Sequence, residues 1–185
     1  MRRRLLVGTA ATAAVLSGGG LAAGASGPTL AAHGPVHLDG TSATARFEIG
    51  DRTIRQFRYA DRRELGYTFT LHNGGPLPVT VVDAADAGPE ATLLAVDRLE
   101  RDGTAATRFE VPAGEGVEVR LVLDMSHCER VSSRAGSFLS QVAVRTEVGG
   151  VLDRSSVVAL PEELHTGSPR EALCPRATST SRSPG

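Results

Sequence analysis

Val117-Glu118-Val119-Arg120-Leu121-Val122-Leu123 is the stretch that decides the fold class. Val117, Val119, Leu121 and Leu123 share one face and Glu118, Arg120 and Val122 the other, which is the two-residue period of a half-buried strand. The turn Pro112-Ala113-Gly114-Glu115-Gly116 comes just before it, and Phe109 and Val111 end a shorter run ahead of that turn.

Outward from this segment the pattern repeats. Tyr67, Phe69 and Leu71 alternate with Thr68 and Thr70 until Asn73-Gly74-Gly75-Pro76 breaks the run, and Val79 and Val81 resume it after Pro78. Leu93 to Val96 form a further apolar stretch, and Arg98, Glu100, Arg101 and Asp102 before Gly103 read as a charged hairpin tip. Val142, Val144, Thr146 and Val148 lead into Gly149-Gly150 and then Ser156 to Leu160, a pattern that predicts a tight hairpin because its turn needs positive φ. Two weaker strands are expected at Ala45-Phe47-Ile49 and Ile54 to Tyr59. The helical period is scarce; Pro161-Glu162-Glu163-Leu164 is the best candidate and would make one turn. Short strands at this spacing without crossover helices predict an all-β antiparallel sandwich of seven or eight strands.

The chain opens with Met1-Arg2-Arg3-Arg4, an apolar run from Leu5 to Leu16, and the small residues Ala23-Gly24-Ala25. That order predicts a secretory signal-peptide helix over 1–25 with cleavage after Ala25. Arg2-Arg3 also fits a twin-arginine signal loosely. Leu5 to Ala25 is just long enough to span a bilayer core, so an uncleaved anchor stands as the alternative, with Gly18, Gly19 and Gly20 counting against it. The Gly, Pro, Ser and Thr content predicts a flexible linker at 26–35 and a disordered tail at 176–185, leaving one domain at 36–175.

All 20 basic residues are arginine, against 21 acidic residues, and removal of Arg2 to Arg4 leaves the mature chain acidic. This balance offers no footprint for nucleic acid or anionic lipid, and membrane association is expected only if the leader stays attached. The five Phe and two Tyr, with no Trp, leave few aromatic residues beyond a core. Phe47, Phe57, Phe69, Phe109 and Tyr67 are expected to point inward, which disfavours a sugar-binding sandwich with exposed aromatic platforms.

The run Leu65-Gly66-Tyr67-Thr68-Phe69-Thr70-Leu71-His72-Asn73-Gly74-Gly75-Pro76-Leu77-Pro78-Val79-Thr80-Val81 resembles the start of the Ig-like domain of small exported proteins of high-GC, actinomycete-type bacteria. The turn Pro112 to Glu115, the mid-chain Cys128 and the late Cys174-Pro175 extend the resemblance over about residues 45–175. It implies an Ig-like sandwich and brings no catalytic residue with it.

An even cysteine count in an exported chain predicts a Cys128–Cys174 disulfide. Closing a loop of about 46 residues would restrict the unfolded chain by ~4 kcal/mol. Met125, His127 and Cys128 offer the alternative of a Cu(I) site, because thioether, imidazole and thiolate are soft ligands. The Met-His-Cys order is the reverse of a blue-copper cluster, and a bonded Cys128 has no thiolate to give. His33 and His37 flank Gly34-Pro35 in the expected linker and should be solvated; His72 and His165 stand isolated.

Asp124, Ser126 and His127 are triad residue types without triad spacing, and no Gly-x-Ser-x-Gly elbow exists. Asp83, Asp86 and Glu90 lack the spacing of an EF-hand, and a solvated acidic turn is the expectation. Together the sequence predicts a non-enzymatic secreted or cell-envelope module without a cofactor, binding or structural in role, with an unknown extracellular or envelope protein as partner.

Overall fold

The computed structural model describes residues 29–42, 44–87, 94–106, 108–125, 137–150 and 152–166. The leader, the 176–185 tail, His127, Cys128 and Cys174 lie outside them. Eleven strands form among the described residues: β1 (Leu30–Asp39), β2 (Thr44–Ile49), β3 (Arg52–Phe57), β4 (Arg63–Asn73), β5 (Val79–Asp86), β6 (Ala95–Arg101), β7 (Thr104–Ala105), β8 (Phe109–Val111), β9 (Gly116–Met125), β10 (Phe138–Val148) and β11 (Leu152–Thr166). They build two packed sheets, in the orders β1-β4-β9-β6-β7 and β2-β3-β11-β10-β5-β8. The class is all-β and the architecture a sandwich.

The decisive segment lies at the centre of the first sheet. Val119, Leu121, Leu123 and Met125 of β9 point inward beside Leu65, Tyr67, Phe69 and Leu71 of β4, all buried. Val81, Val142, Val144, Val158 and Leu164 meet them from the second sheet in one continuous core. Burying each such side chain contributes roughly 1.5–3 kcal/mol, so the core supplies the main driving force.

The turns behave as their chemistry requires. Gly149 and Gly150 take φ of 62° and 73° at the tip of the β10–β11 hairpin, and Asp102-Gly103 does the same between β6 and β7. Two turns far apart in sequence are joined by Asn73, which is fully buried. Its Nδ2 donates to the carbonyls of Leu77 (2.8 Å) and Val111 (3.1 Å), and its Oδ1 accepts from Gly75 N–H at 2.9 Å. Its backbone bonds Gly114 and Glu115 of the other turn. Asn73→Ala removes the partner of two carbonyls and an amide, the Val111 carbonyl among them buried, and is expected to cost about 2 kcal/mol, read as a lowered urea midpoint with an unchanged slope.

Several expectations are corrected. Among the described residues the strand count is eleven rather than seven or eight, and β1 and the two-residue β7 were not legible as alternating runs. The sandwich is not purely antiparallel: β3 runs parallel to β11, with Ile54 opposite Glu163 and Phe57 opposite Thr166. Residues 30–35 of the expected linker belong to β1, where the backbone pairs with β4 and Ala32, Val36 and Leu38 pack on the core. Pro161 to Leu164 continue β11 instead of forming a helical turn, since their neighbours β3 and β10 offer ladder partners. Phe47 does not point into the core; it is 48% exposed.

Candidate functional site

Glu162 anchors a densely hydrogen-bonded polar group. Pro161 has no N–H to give the ladder, and β11 departs from register there: Leu139 pairs with Leu164, but Gln141 pairs with Ala159. The break leaves the Glu162 backbone groups to find other partners. Tyr67, across the core on β4, satisfies both, its hydroxyl donating to the Glu162 carbonyl (2.9 Å) and accepting from the Glu162 N–H (3.0 Å). Burial pushes the Tyr67 phenol well above its ordinary range, so it stays protonated and can play both parts.

The Glu162 carboxylate, almost fully buried, accepts from Arg55 Nε at 2.7 Å and from Arg46 Nε at 3.0 Å. These two bonds fasten the β2–β3 hairpin to β11. On the opposite face of the same strands, Arg52 grips Glu163 through Nε at 2.6 Å and through a second guanidinium nitrogen, and His165 Nε2 lies 3.2 Å from the same carboxylate. Arg52, then His165, hold the Glu163 carboxyl down to about 2. A carboxyl lowered in the folded state stabilises above its unfolded pKa and loses that contribution as pH falls toward the folded value. The Glu163 contribution should therefore be intact above about pH 4.5 and erode between about 4.5 and 2. Arg52→Ala should flatten that part of the stability curve while leaving its slope above pH 5 unchanged, as chemical denaturation across pH would show.

A second network covers the outer face of the first sheet. Arg120 reaches Asp39 through Nε (2.9 Å) and Glu100 through Nη1 (2.6 Å); Arg98 bonds Glu100 (3.0 Å) and Glu64 (2.9 Å). The chain Asp39–Arg120–Glu100–Arg98–Glu64 thus crosses β1, β9, β6 and β4 and roofs Val122, which is completely buried. Gly66 makes room for it, because a Cβ there would run into the Arg120 guanidinium and the Asp39 carboxylate. Hydrogen bonds from Arg120 and Arg98 hold the Asp39 and Glu64 carboxyls below their ordinary range. Burial works against the Glu100 carboxylate, yet Arg120 and Arg98 hold it low too.

The residues singled out by sequence fall in different places. Met125 is fully buried in the core at the end of β9, and its carbonyl accepts from Arg62 N–H at 2.6 Å; its expected co-ligands His127 and Cys128 lie outside the described residues, as does the cleavage point after Ala25. His33 and His37 sit on β1, paired with Thr70 and Thr68, and the His33 ring meets that of His72 edge-on at 5.6 Å. The linker expectation for them is thereby corrected, whereas both side chains are exposed, as expected. Asp83 and Asp86 accept from the backbone amides of Ala84 and Val96. No group of three metal-ligating side chains forms among the described residues, and no helix among them is long and apolar enough to cross a membrane. A cleft of about 280 Å³ opens beside β6, lined by Val82, Asp83, Arg98, Leu99, Ala105 and Ala106; Arg98 is already held by three carboxylates.

What the sequence reading missed is the exposure of β2. All six of its residues are exposed, Phe47 and Ile49 among them, and among the described residues it pairs with β3 alone. The alternation of Ala45, Phe47 and Ile49 with Arg46 and Glu48 signalled a strand, but not which face would be covered. Arg46 and Glu48 lie on the side of Arg55 and Glu162, and the apolar residues face out beside Ile54. No protein-family model and no curated protein matches this chain.

Proposed function

We propose that the chain is a non-enzymatic exported Ig-like module of the cell envelope or extracellular space that works by protein contact. The observation that carries this reading is the β2 edge, a regular six-residue strand exposed along its length with two large apolar side chains uncovered. An open strand edge is a template for pairing with another chain, and natural proteins otherwise blunt it. Export rests on the basic, apolar and small-residue order of residues 1–25. The Ig-like reading is supported by strand order: β1-β4-β9-β6 follows the A-B-E-D arrangement and β11-β10-β5 the G-F-C arrangement. The two ion-pair networks support a structural use of the arginines, since Arg55, Arg98 and Arg120 are each held by a carboxylate of another strand.

Fractionation of a bacterium expressing the tagged chain tests this reading. The chain should leave the cytoplasm with its leader cut after Ala25, carry no free thiol under denaturing, non-reducing conditions, and be captured by a chemical cross-linker in a Phe47-dependent way. Retention in the cytoplasm with two free thiols, or turnover in a broad hydrolase screen, would overturn it.

A further inference from the structure

We infer that the β2 edge pairs with the β2 edge of a second copy of this chain, in antiparallel register about a two-fold axis through Phe47. The inference rests on the contact reading above and names the partner. It starts from the four edges of the two sheets. β7 is two residues long and β8 three, and β1 breaks register between His33 and His37, where Pro35 has no N–H to donate. β2 runs six residues without a register shift or a proline and is exposed throughout. It is therefore the one edge among the described residues able to support a regular ladder.

The sequence Thr44-Ala45-Arg46-Phe47-Glu48-Ile49 is complementary to itself in this register. Two copies related by a two-fold axis perpendicular to the sheet keep each face on its own side, so only residues of the same face can oppose each other. With the axis at Phe47, Arg46 opposes Glu48 of the second copy and Glu48 opposes its Arg46. Ala45 then opposes Ile49, a small residue against a large one, and the two Phe47 rings meet on the axis. Moving the axis to Arg46 or Glu48 sets like charges face to face, which is destabilising. The Phe47 register is the central one that pairs opposite charges. Arg46 already holds Glu48 of its own strand at 2.8 Å, and their side chains are 47% and 68% exposed, so the exchange to the second copy needs little rearrangement. Arg46 and Arg55 meanwhile fasten the hairpin to Glu162 and keep the edge in place. The result is one continuous sheet of two six-stranded halves with an apolar strip along its outer face. A ladder of this length buries less than the ~1,200 Å² of a standard interface, so the dimer should be weak and concentration-dependent.

Sedimentation velocity on the mature exported chain, from about 5 to about 500 µM, reads this directly. The wild type should pass from monomer to dimer over that range, and Glu48→Arg, which sets Arg46 against a second arginine, should stay monomeric with an unchanged melting curve. Register is read by cysteine: Phe47→Cys should cross-link to residue 47 of a second copy on oxidation, because directly opposed Cα atoms lie about 4.5–5.5 Å apart. Ala45→Cys should not, because the two residues 45 would be about 14 Å apart. A wild type that remains monomeric throughout, or a Phe47→Cys chain that links no faster than Ala45→Cys, overturns the proposal. If a monomeric wild type is still captured by another envelope protein through Phe47, self-pairing falls while the contact reading stands; if Phe47→Asp changes neither, both fall.

Discussion

Gly40→Ala should lower the stability of the domain by about 3–4 kcal/mol, a large share of the 5–15 kcal/mol typical of such folds. Two independent causes add. Gly40 sits at φ 79°, a left-handed conformation that costs an alanine about 1–2 kcal/mol. A Cβ at this position would also run into the carbonyl oxygen of Glu64. That oxygen belongs to β4, whose next residues, Leu65 and Gly66, continue the central ladder to β9. It cannot yield without opening the β1–β4 pairing at Asp39 and Gly66, and with it the Asp39–Arg120 bridge. A fall of roughly 1.5 M in the urea midpoint is the expected reading. Gly50→Ala is the control: its φ is 62°, but nothing stands near its Cβ, so only the conformational part should be lost.

Glu162→Ala should cost about 3 kcal/mol. Arg55, whose side chain is only 20% exposed, would lose both of its bonds to that carboxylate and remain as an uncompensated, largely buried charge. Arg46, 47% exposed, can turn to solvent and contributes little of the loss. Glu162→Gln keeps an acceptor for Arg55 and should cost less than half as much. The two variants should differ further in where the damage falls: loss of the carboxylate loosens β2 and β3 more than the body of the sandwich. Amide exchange in Thr44 to Phe57 should accelerate while β4 and β9 stay protected.

Much of the layered fold was legible because period and turn chemistry are local properties. Val117 to Leu123 and Tyr67 to Leu71 alternate cleanly, and Gly149-Gly150 needs no tertiary partner to announce a hairpin. What was hidden depends on neighbours distant in the chain. Pro161 to Leu164 read as helical because four residues carry no record of the strands on either side. Residues 30–35 read as linker because the ladder that orders them lies on β4. Gly40 was silent, since its need for glycine comes from Glu64. Phe47 was placed inward because alternation shows two faces without saying which is covered, and the ion pair that decides it, Arg46 to Glu162, spans 116 positions. For the candidate site, the residue types were visible and the grouping was not: Met125 went to the core, whereas Arg46, Arg55, Tyr67 and Glu162 came together from four strands, one of them at a register break.

The central claim is that the sandwich presents β2 as an open edge, and residue-resolved amide exchange of Thr44 to Ile49 in the dilute mature protein tests it most directly. In an edge strand every second amide faces its neighbour and the others face water. The account predicts fast and slow exchange alternating along β2, with the fast amides slowing as concentration rises. Uniform protection of all six amides in dilute solution would mean that the edge is already covered, and would contradict it.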